Sequence, residues 1–268
     1  MSETSRHDAW QAGDSYDAYM GRWSRQVVPR FLDWIDVPDG QDWLEVGCGT
    51  GALSAAILER CSPKSLVSID PSDGFLKKAR ANVPDERAEF LLGDAQALAL
   101  ETASRDVIVS ALVLNFVPDK ETALAEMKRV ARVGGTIGFY VWDYPGGGVE
   151  FMRAFWNAAT ALDPDARDLT EDRRFPFCTP EGLTDLAKTV GIAWAECTSI
   201  EVPTVFKDFD DYWHPFTLGA GPAPGYCISL DPDARQRLKE KLHHDLPRGE
   251  GGAIPLKARA WAVKAVVE

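Results

Sequence analysis

The chain has 268 residues, with 29 Lys or Arg against 41 Asp or Glu, so its formal net charge is −12. An apolar fraction of 45% is that of an ordinary globular protein and argues against a disordered chain. The acidic balance argues against a nucleic-acid partner, because contacts to phosphates require a basic surface.

The N-terminal segment and the scattered cysteines predict a cytoplasmic protein. The first ten residues, MSETSRHDAW, contain no apolar signal segment, and no stretch reaches the roughly 18 apolar residues of a membrane span. The five cysteines form no C-x-x-C pair, which favours reduced thiols. The four histidines form no metal-binding constellation, so we predict neither a metal site nor a membrane partner.

Apolar runs alternate with helical patterns from about residue 41 to residue 142, after an amphipathic helix predicted over 15–35. Near-continuous apolar runs are typical of strands in a parallel sheet that is covered on both faces. Strands are predicted over 42–46, 66–69, 88–92, 106–113 and 136–142, and helices over 51–60, 73–82 and 119–133. Asp119 is predicted to cap the last of these helices. Alternation at this spacing predicts a doubly wound α/β sheet.

The regularity breaks after residue 142. The later predicted elements, in chain order, are a helix over 149–162, a polar irregular stretch over 163–178, a helix from Pro180 to about 190, a strand near 194–205, an aromatic stretch with a Gly/Pro-rich loop over 208–230, a helix over 232–246 and a strand over 254–267. Thr179 and Asp231 each precede a proline, which predicts a capped helix start at both places. The segment GAGPAPG (219–225) is predicted to be a loop.

The strongest signal for chemistry is the glycine-rich segment Gly47-Cys48-Gly49-Thr50-Gly51, between the first predicted strand and the following helix. Glycines let the backbone turn tightly and approach a ligand closely, and a loop at this edge of a doubly wound sheet is where ligands bind. The segment also satisfies the Gly-x-Gly-x-x-Ala pattern of dinucleotide-binding loops. The loop alone therefore does not decide between a dinucleotide and another ligand that binds at this edge.

Three acidic residues, each near the end of a successive predicted strand, separate the two possibilities. Glu45 precedes Gly47 by two residues, where a carboxylate suits a cationic amino group and would repel a pyrophosphate. Asp70 can accept hydrogen bonds from both ribose hydroxyls, a feature shared with NAD enzymes. Asp94, with a neighbouring backbone N–H, can bind the edge of an adenine. Together they predict an adenosine ligand that carries a charged amino-acid tail.

On the motifs LEVGCGTG, SIDPS, GDAQAL and SALVLNFVPD, the chain resembles the class I S-adenosylmethionine-dependent methyltransferases, in particular the small-molecule group similar to the ubiquinone and menaquinone methyltransferases. The resemblance covers about residues 40–142 and the rest only weakly. It implies a Rossmann-like, mostly parallel seven-stranded sheet with helices on both faces, an antiparallel last strand and a helical, aromatic cap insertion. The implied divisions of a single methyltransferase domain are an N-terminal helical lid (1–40), a cofactor-binding core (41–142), cap insertions (143–178 and 206–230) and the C-terminal part of the sheet with its helices (179–205 and 231–268).

The resemblance implies S-adenosyl-L-methionine as the cofactor and S-adenosyl-L-homocysteine as the product. It assigns cofactor contacts to residues of the glycine loop, of the strand ends and of the N-terminal lid. These are Glu45, Gly47, Gly49 and Gly51 for the methionine part, Asp70, Pro71, Ser72, Gly93, Asp94, Ala95 and Gln96 for the ribose and adenine, Ser110, Leu112 and Phe116 near the methyl group, and Tyr16, Met20 and Arg22 for the lid.

Two aromatic clusters after strand five predict where a methyl acceptor binds. A pocket built from both would suit an apolar or aromatic molecule, although the same residues could equally form a second small core or a dimer contact. The candidates are Trp142, Tyr144, Phe155, Trp156, Trp213 and Phe216. His214 is the only histidine considered as a catalytic base, and a structural hydrogen bond is the more common role for such a residue.

We therefore expect methyl transfer by in-line displacement to a small molecule. The sulfonium carries the driving chemistry, so no catalytic triad or metal is required. The stretch after the fourth strand, beginning at Ser110, lacks the Asn/Asp-Pro-Pro-Tyr/Phe segment of amino-group methyltransferases that act on DNA, which again disfavours nucleic acid. An NAD(P)-dependent oxidoreductase and a non-catalytic cofactor-binding homologue remain as alternatives.

Overall fold

A computed structural model describes residues 17–219 and 221–268 of the chain. The strands of these residues are β1 (Asp42–Val46), β2 (Ser65–Asp70), β3 (Ala88–Leu92), β4 (Arg105–Ala111), β5 (Ala131–Trp142), β6 (Glu196–Phe206) and β7 (Ile254–Val266). They form one sheet in the order β3-β2-β1-β4-β5-β7-β6. Neighbours from β3 to β5 pair in parallel, whereas β7 runs antiparallel to β5. The predicted mostly parallel seven-stranded sheet with an antiparallel last strand is confirmed.

Helices connect these strands. In chain order they are a π-helical turn (Asp17–Gly21), α1 (Arg22–Ile35), α2 (Ala52–Arg60), α3 (Asp73–Asn82), α4 (Lys120–Val130), α5 (Glu150–Leu162), a 3-10 helix (Pro164–Leu169), α6 (Glu171–Arg174), α7 (Pro180–Thr189), α8 (Phe209–Trp213), a 3-10 helix (His214–Thr217), α9 (Pro222–Ser229), α10 (Pro232–Asp245) and a 3-10 turn (Glu250–Gly252). No helix among the described residues combines the length and the apolar content needed to cross a bilayer.

The central strands form because both of their faces are covered. Trp43, Leu44 and Val46 of β1 are fully buried, as near-continuous apolar runs require in a parallel sheet. Four polar residues of the central strands, Glu45, Ser68, Asp70 and Ser110, are buried among them. Buried polar groups of this kind need hydrogen-bond partners, so they draw attention to the neighbouring end of the sheet.

The predicted helix starts at Asp119, Thr179 and Asp231 are confirmed. Each side chain accepts a hydrogen bond from the backbone N–H three residues further on, at 2.9, 3.0 and 2.8 Å respectively. These caps satisfy N–H groups that have no partner within the first helical turn. The three positions therefore fix where α4, α7 and α10 begin.

Several predicted boundaries are wrong, and the stretch predicted as irregular over 163–178 contains a 3-10 helix and α6. The helix predicted over 119–133 ends three residues early, because Ala131 already pairs with Arg105 of β4 and begins β5. The loop predicted over 219–225 is helical from Pro222 onward. Proline is tolerated in the first turn of a helix, where its missing N–H has no helical partner to lose.

The chain divides into two compact units. The sheet unit comprises residues 25–142, 177–200 and 260–268, and the aromatic unit comprises the described residues of 1–24, 143–176 and 201–259. The predicted cofactor-binding core, 41–142, lies within the sheet unit. The segment that the sequence grouped as 231–268 is shared, since its first 29 residues belong to the aromatic unit.

Aromatic side chains form the core of the aromatic unit. Tyr19 packs edge-on against Phe151 and Phe216, with ring centroids 5.8 and 5.3 Å apart, and Trp23 packs against Phe206 at 5.0 Å. All five residues are buried. Edge-to-face contacts at these distances are favourable beyond the area that they bury. Tyr19 and Trp23, which lie in the predicted lid segment, thus pack as core.

Candidate functional site

A glycine-rich loop joins β1 to α2. The Gly47 and Cys48 N–H groups donate to the Ile69 carbonyl at 2.8 and 2.9 Å, which fixes the loop to β2. Gly47 has a φ of +79°, and a Cβ at this position would collide with the Val113 side chain. Gly49 has a φ of +52°, but a Cβ there would meet no atom within 4 Å, so this side of the loop is open. Packing therefore requires glycine at position 47, whereas position 49 keeps the loop face clear.

Gly47→Ala is expected to lower the free energy of unfolding by about 2–5 kcal/mol. The left-handed backbone costs a residue with a Cβ about 1–2 kcal/mol, and forced contact with Val113 adds about 1–3 kcal/mol. Gly134→Ala is the matched control, because Gly134 has a φ of +81° and open space around its Cβ position. Gly134→Ala should lose only the roughly 1–2 kcal/mol that a left-handed backbone costs. Urea unfolding measures both variants, and equal losses would contradict the packing role of Gly47.

Asp70 ends β2 and is held by backbone groups on both sides. Its Oδ2 accepts the Gly49 N–H and its Oδ1 accepts the Ser72 N–H, both at 2.9 Å. Burial raises the pKa of this carboxyl, against the effect of the two backbone donors. Ser72 caps α3 by accepting from the Phe75 N–H, and Pro71 is exposed. A carboxylate oxygen can accept more than one hydrogen bond, so each oxygen can take a further donor.

Glu45 is 1% exposed and is bound by two serine hydroxyls. Ser54 of α2 and Ser68 of β2 both donate to Oε2, the latter at 3.1 Å. Burial raises the pKa of Glu45 to about 7 against the opposing hydrogen bonds of the serines, and the charge of Asp70 acts in the same direction as burial. The sequence gives no sign that these two serines hold Glu45. They hold the carboxyl in one position at a pKa that makes its charge sensitive to a nearby cation.

Asp94 follows β3 and is exposed. Its Oδ1 accepts the Gln96 backbone N–H at 2.9 Å, and the Gln96 Oε1 accepts the Asp119 N–H at 3.1 Å. Gly93 and Ala95, on either side of Asp94, are half-buried. These bonds connect the end of β3 to the start of α4 and leave the Asp94 carboxylate accessible.

The three acidic residues lie at the ends of three adjacent strands, with Glu45 and Asp70 inside β1 and β2 and Asp94 two residues after β3. β3, β2 and β1 are neighbours in the sheet and run in parallel, so Asp94, Asp70 and Glu45 lie toward the same carboxyl edge of the sheet unit. This is the edge at which doubly wound sheets bind ligands. The structure thus brings together the residues on which the predicted adenosine site depends.

The turn after β4 borders the same edge. Ser110 is buried and donates to the Val46 carbonyl at 2.8 Å, which ties β4 to β1. Leu112 has a φ of +60°, which is uncommon for a residue other than glycine, and Phe116 is half-buried. Asn115 is 6% exposed, and neither polar atom of its amide has a hydrogen-bond partner among the described residues. A buried amide without partners is costly, which makes Asn115 a candidate contact for a polar group of a ligand.

α2 begins at the glycine loop without a side-chain cap. Gly51 is the N-cap residue, with a φ of +88°, and no described side chain accepts from the first N–H groups of the helix. These groups and the positive end of the helix dipole suit an anion. The same loop therefore offers a site for a carboxylate close to a buried carboxyl that suits a cation.

The residues predicted to form the lid have other partners or lie outside the described residues, as Tyr16 does. Met20 is buried. The Arg22 Nη1 lies 2.7 Å from Asp211 Oδ1, and its guanidinium stacks over the Trp23 ring with 4.2 Å to the centroid. Arg22 is therefore engaged within the aromatic unit, and its predicted contact with a cofactor carboxylate would require this ion pair to open.

Several residues predicted for an acceptor pocket pack as a second core, which is the alternative that the sequence left open. Phe155 stacks on Phe216 with 4.4 Å between centroids and 7° between planes, and Trp213 is buried in the same unit. Trp142 is buried at the end of β5 in the sheet unit. His214, the candidate base, is exposed. None of these geometries assigns a catalytic role to the residue concerned.

Tyr144 and Trp156 do line a cavity, which has a volume of about 230 Å³ and lies in the aromatic unit. Glu171 lines it too, is 4% exposed and accepts a hydrogen bond from the Trp156 Nε1. Burial raises the pKa of Glu171 to about 7, against the hydrogen bonds that it accepts. Sequence reasoning missed this residue, because nothing in the polar stretch distinguishes it from its exposed neighbour Asp172.

Residues 44–139 match a family model described as a methyltransferase domain. Nocamycin O-methyltransferase of Saccharothrix syringae is 32% identical over 259 residues, which cover 89% of this chain and 90% of that protein. Malonyl-[acyl-carrier protein] O-methyltransferase of Serratia marcescens is 36% identical over 129 residues, which cover 48% of this chain and 49% of that protein. The chain thus spans about half the length of the latter relative.

A solved structure gives the same fold. Phosphoethanolamine N-methyltransferase 2 of Haemonchus contortus, in complex with S-adenosyl-L-methionine, matches 100% of this chain and 60% of that chain with a TM-score of 0.60 at 14% identity. At that identity the likeness establishes the fold alone. The identity to nocamycin O-methyltransferase extends over nine-tenths of both proteins and establishes the family. The chain belongs to the class I S-adenosylmethionine-dependent methyltransferases.

Proposed function

We propose that this chain transfers a methyl group from S-adenosyl-L-methionine to a small apolar or aromatic molecule by in-line displacement. The observation that carries the proposal is the placement of Glu45, Asp70 and Asp94 at one carboxyl edge, near the ends of three adjacent parallel strands. Family membership favours this function over the oxidoreductase alternative.

The donors and acceptors of the site fit each part of the cofactor. Glu45 suits the ammonium group of the methionine part, and the uncapped start of α2 suits its carboxylate. Asp70 can accept both ribose hydroxyls while it keeps its backbone donors. Asp94 and the N–H groups around it suit the amino and ring-nitrogen edge of the adenine. A pyrophosphate would instead be repelled by Glu45.

Two further observations support a ligand at this edge. The face of the loop at Gly49 is open, so a ligand can approach the backbone without meeting a side chain. The buried amide of Asn115 has no partner among the described residues, which is the condition that a polar ligand group would relieve. When bound, the sulfonium supplies an activated methyl group, and the residues of the chain bind it, orient it and exclude water.

The acceptor is proposed to be a small molecule. Nocamycin O-methyltransferase, which this chain resembles over nearly its whole length, is named for a small-molecule substrate. The net charge of −12 disfavours a polyanionic acceptor such as a nucleic acid. The cavity of the aromatic unit, in which Tyr144 and Trp156 lie beside Val149 and Met152, supports an acceptor with an apolar or aromatic part.

Isothermal titration with S-adenosyl-L-homocysteine tests the proposal. We expect saturable binding at submillimolar concentration, and absence of binding in that range would overturn the proposed function. NADH is the comparison ligand, because the oxidoreductase alternative predicts that it binds instead. Tight binding of S-adenosyl-L-homocysteine, without methyl transfer to any member of a broad acceptor panel, would favour a non-catalytic homologue.

A further inference from the structure

Glu171 is a buried carboxyl that the proposed function does not use. Its neighbours Asp172 and Arg173 are exposed, whereas Glu171 is 4% exposed. Its Oε2 accepts from the Trp156 indole, but its Oε1 has almost no solvent contact and no hydrogen-bond partner among the described residues. Withholding a carboxyl oxygen from both water and donors costs free energy. A ligand that brings a hydrogen-bond donor to this oxygen would recover that cost.

The cavity beside Glu171 has room for such a ligand. Its volume is about 230 Å³, and Tyr144, Trp156, Val149 and Met152 contribute aromatic and apolar walls. An apolar cavity of about 150 Å³ is known to hold benzene, so this cavity can take one substituted ring. Most of the remaining lining residues are polar or charged, so the cavity fits a ligand that combines an apolar ring with a polar end.

The charges around the cavity favour a neutral ligand. Arg153 and Arg167 line it together with Glu171 and Asp172, so the basic and acidic side chains balance. Glu171 Oε1 needs a hydrogen-bond donor, and a neutral hydroxyl supplies one without adding charge to the cavity.

We propose that this cavity binds a neutral, single-ring aromatic molecule that carries a hydroxyl group, and that a small rotation of the Glu171 side chain brings Oε1 to the cavity, where it accepts the hydrogen bond from that hydroxyl. Such binding requires no methyl donor and therefore goes beyond the proposed function. Only the further step of identifying this ligand with the methyl acceptor rests on that function.

Fluorine NMR on the full chain, without cofactor, tests the proposal with two matched probes. The first is 4-fluorophenol, and the second is 4-fluoroanisole, in which a methyl group replaces the hydroxyl hydrogen. We expect saturable binding of the phenol, with an affinity roughly tenfold higher than that of the ether, the scale of one buried hydrogen bond. Equal affinities, or no binding of the phenol, would overturn the proposal without any variant.

Glu171→Gln supplies the second test. Its amide oxygen can still accept from Trp156, which leaves an N–H₂ donor where the phenol needs an acceptor. We expect phenol affinity to fall roughly tenfold and the preference over the ether to disappear. Asp168→Asn is the control, since Asp168 is exposed and pairs with Arg173 at 2.9 Å. Unchanged phenol affinity in a folded Glu171→Gln protein would contradict the role of Glu171. Titration with S-adenosyl-L-homocysteine is a separate experiment, so failure of the proposed function remains distinguishable.

Discussion

Replacing Asp70 by alanine is expected to raise the dissociation constant for S-adenosyl-L-homocysteine roughly 10- to 100-fold. The proposed ribose hydroxyls lose a buried, charged acceptor, a loss of about 1–3 kcal/mol. The Gly49 and Ser72 N–H groups also lose their partner, so the loop and the start of α3 are less well ordered before binding. The lost acceptor and the less ordered loop both weaken binding of S-adenosyl-L-homocysteine. Isothermal titration gives the change in affinity directly.

The control for Asp70→Ala is Glu89→Ala, which removes the same charge from an exposed position of β3. We expect it to leave affinity within about twofold of the parent chain, since exposed charges contribute little. Circular dichroism and urea unfolding establish that the Asp70 variant is folded at the titration temperature. Unchanged affinity in a folded Asp70→Ala protein would remove Asp70 from the cofactor site.

Cofactor binding is expected to release a proton from Glu45. Burial raises the pKa of this carboxyl to about 7, so it is largely protonated in the ligand-free chain at slightly acidic pH. An ammonium group beside it would favour the ionised form and lower that pKa. A group that loses a proton on binding makes the affinity rise with pH. The dissociation constant should therefore fall by up to roughly tenfold per pH unit from about pH 5.5 to about pH 7.

Calorimetry in two buffers of different ionisation enthalpy counts the released protons near pH 6. Glu45→Gln keeps an oxygen that can accept from Ser54 and Ser68 but has no proton to lose. It should bind more weakly and with heats that depend less on the buffer. Asp70, whose pKa is also raised by burial, is retained in the variant, so the difference between the two proteins isolates Glu45. Identical heats in both buffers for the parent chain would refute the linkage.

The fold of the sheet unit was predictable because polar or turn-forming residues mark the ends of its strands in the sequence. The predictions over 42–46 and 88–92 coincide with β1 and β3, where a short apolar run is set between polar or turn-forming residues. The aromatic unit was harder. α6 and α8 span four and five residues, so neither shows a helical period, and packing rather than intrinsic preference fixes them.

The candidate site likewise has one part that the sequence predicts and one part that it does not. Strand ends and the parallel topology were enough to place Asp70 at the ligand-binding edge. The partners of Glu45 were not predictable, because Ser54 and Ser68 lie 9 and 23 residues away and meet it only in the folded sheet. Asn115 and Glu171 are distinguished by buried polar atoms that have no hydrogen-bond partner among the described residues. A sequence alone does not show which polar atoms lack a partner.

Because Asp70 makes two backbone contacts that the fold needs, its presence in a related protein does not by itself show catalytic activity. Because the same side chain fastens the glycine loop and the first residues of α3, natural selection for folding alone would retain an aspartate at this position. A descendant that had lost catalysis could keep it indefinitely. Among distant relatives, the presence of this aspartate would report an intact scaffold, and a working enzyme would have to be recognised by residues that folding does not protect.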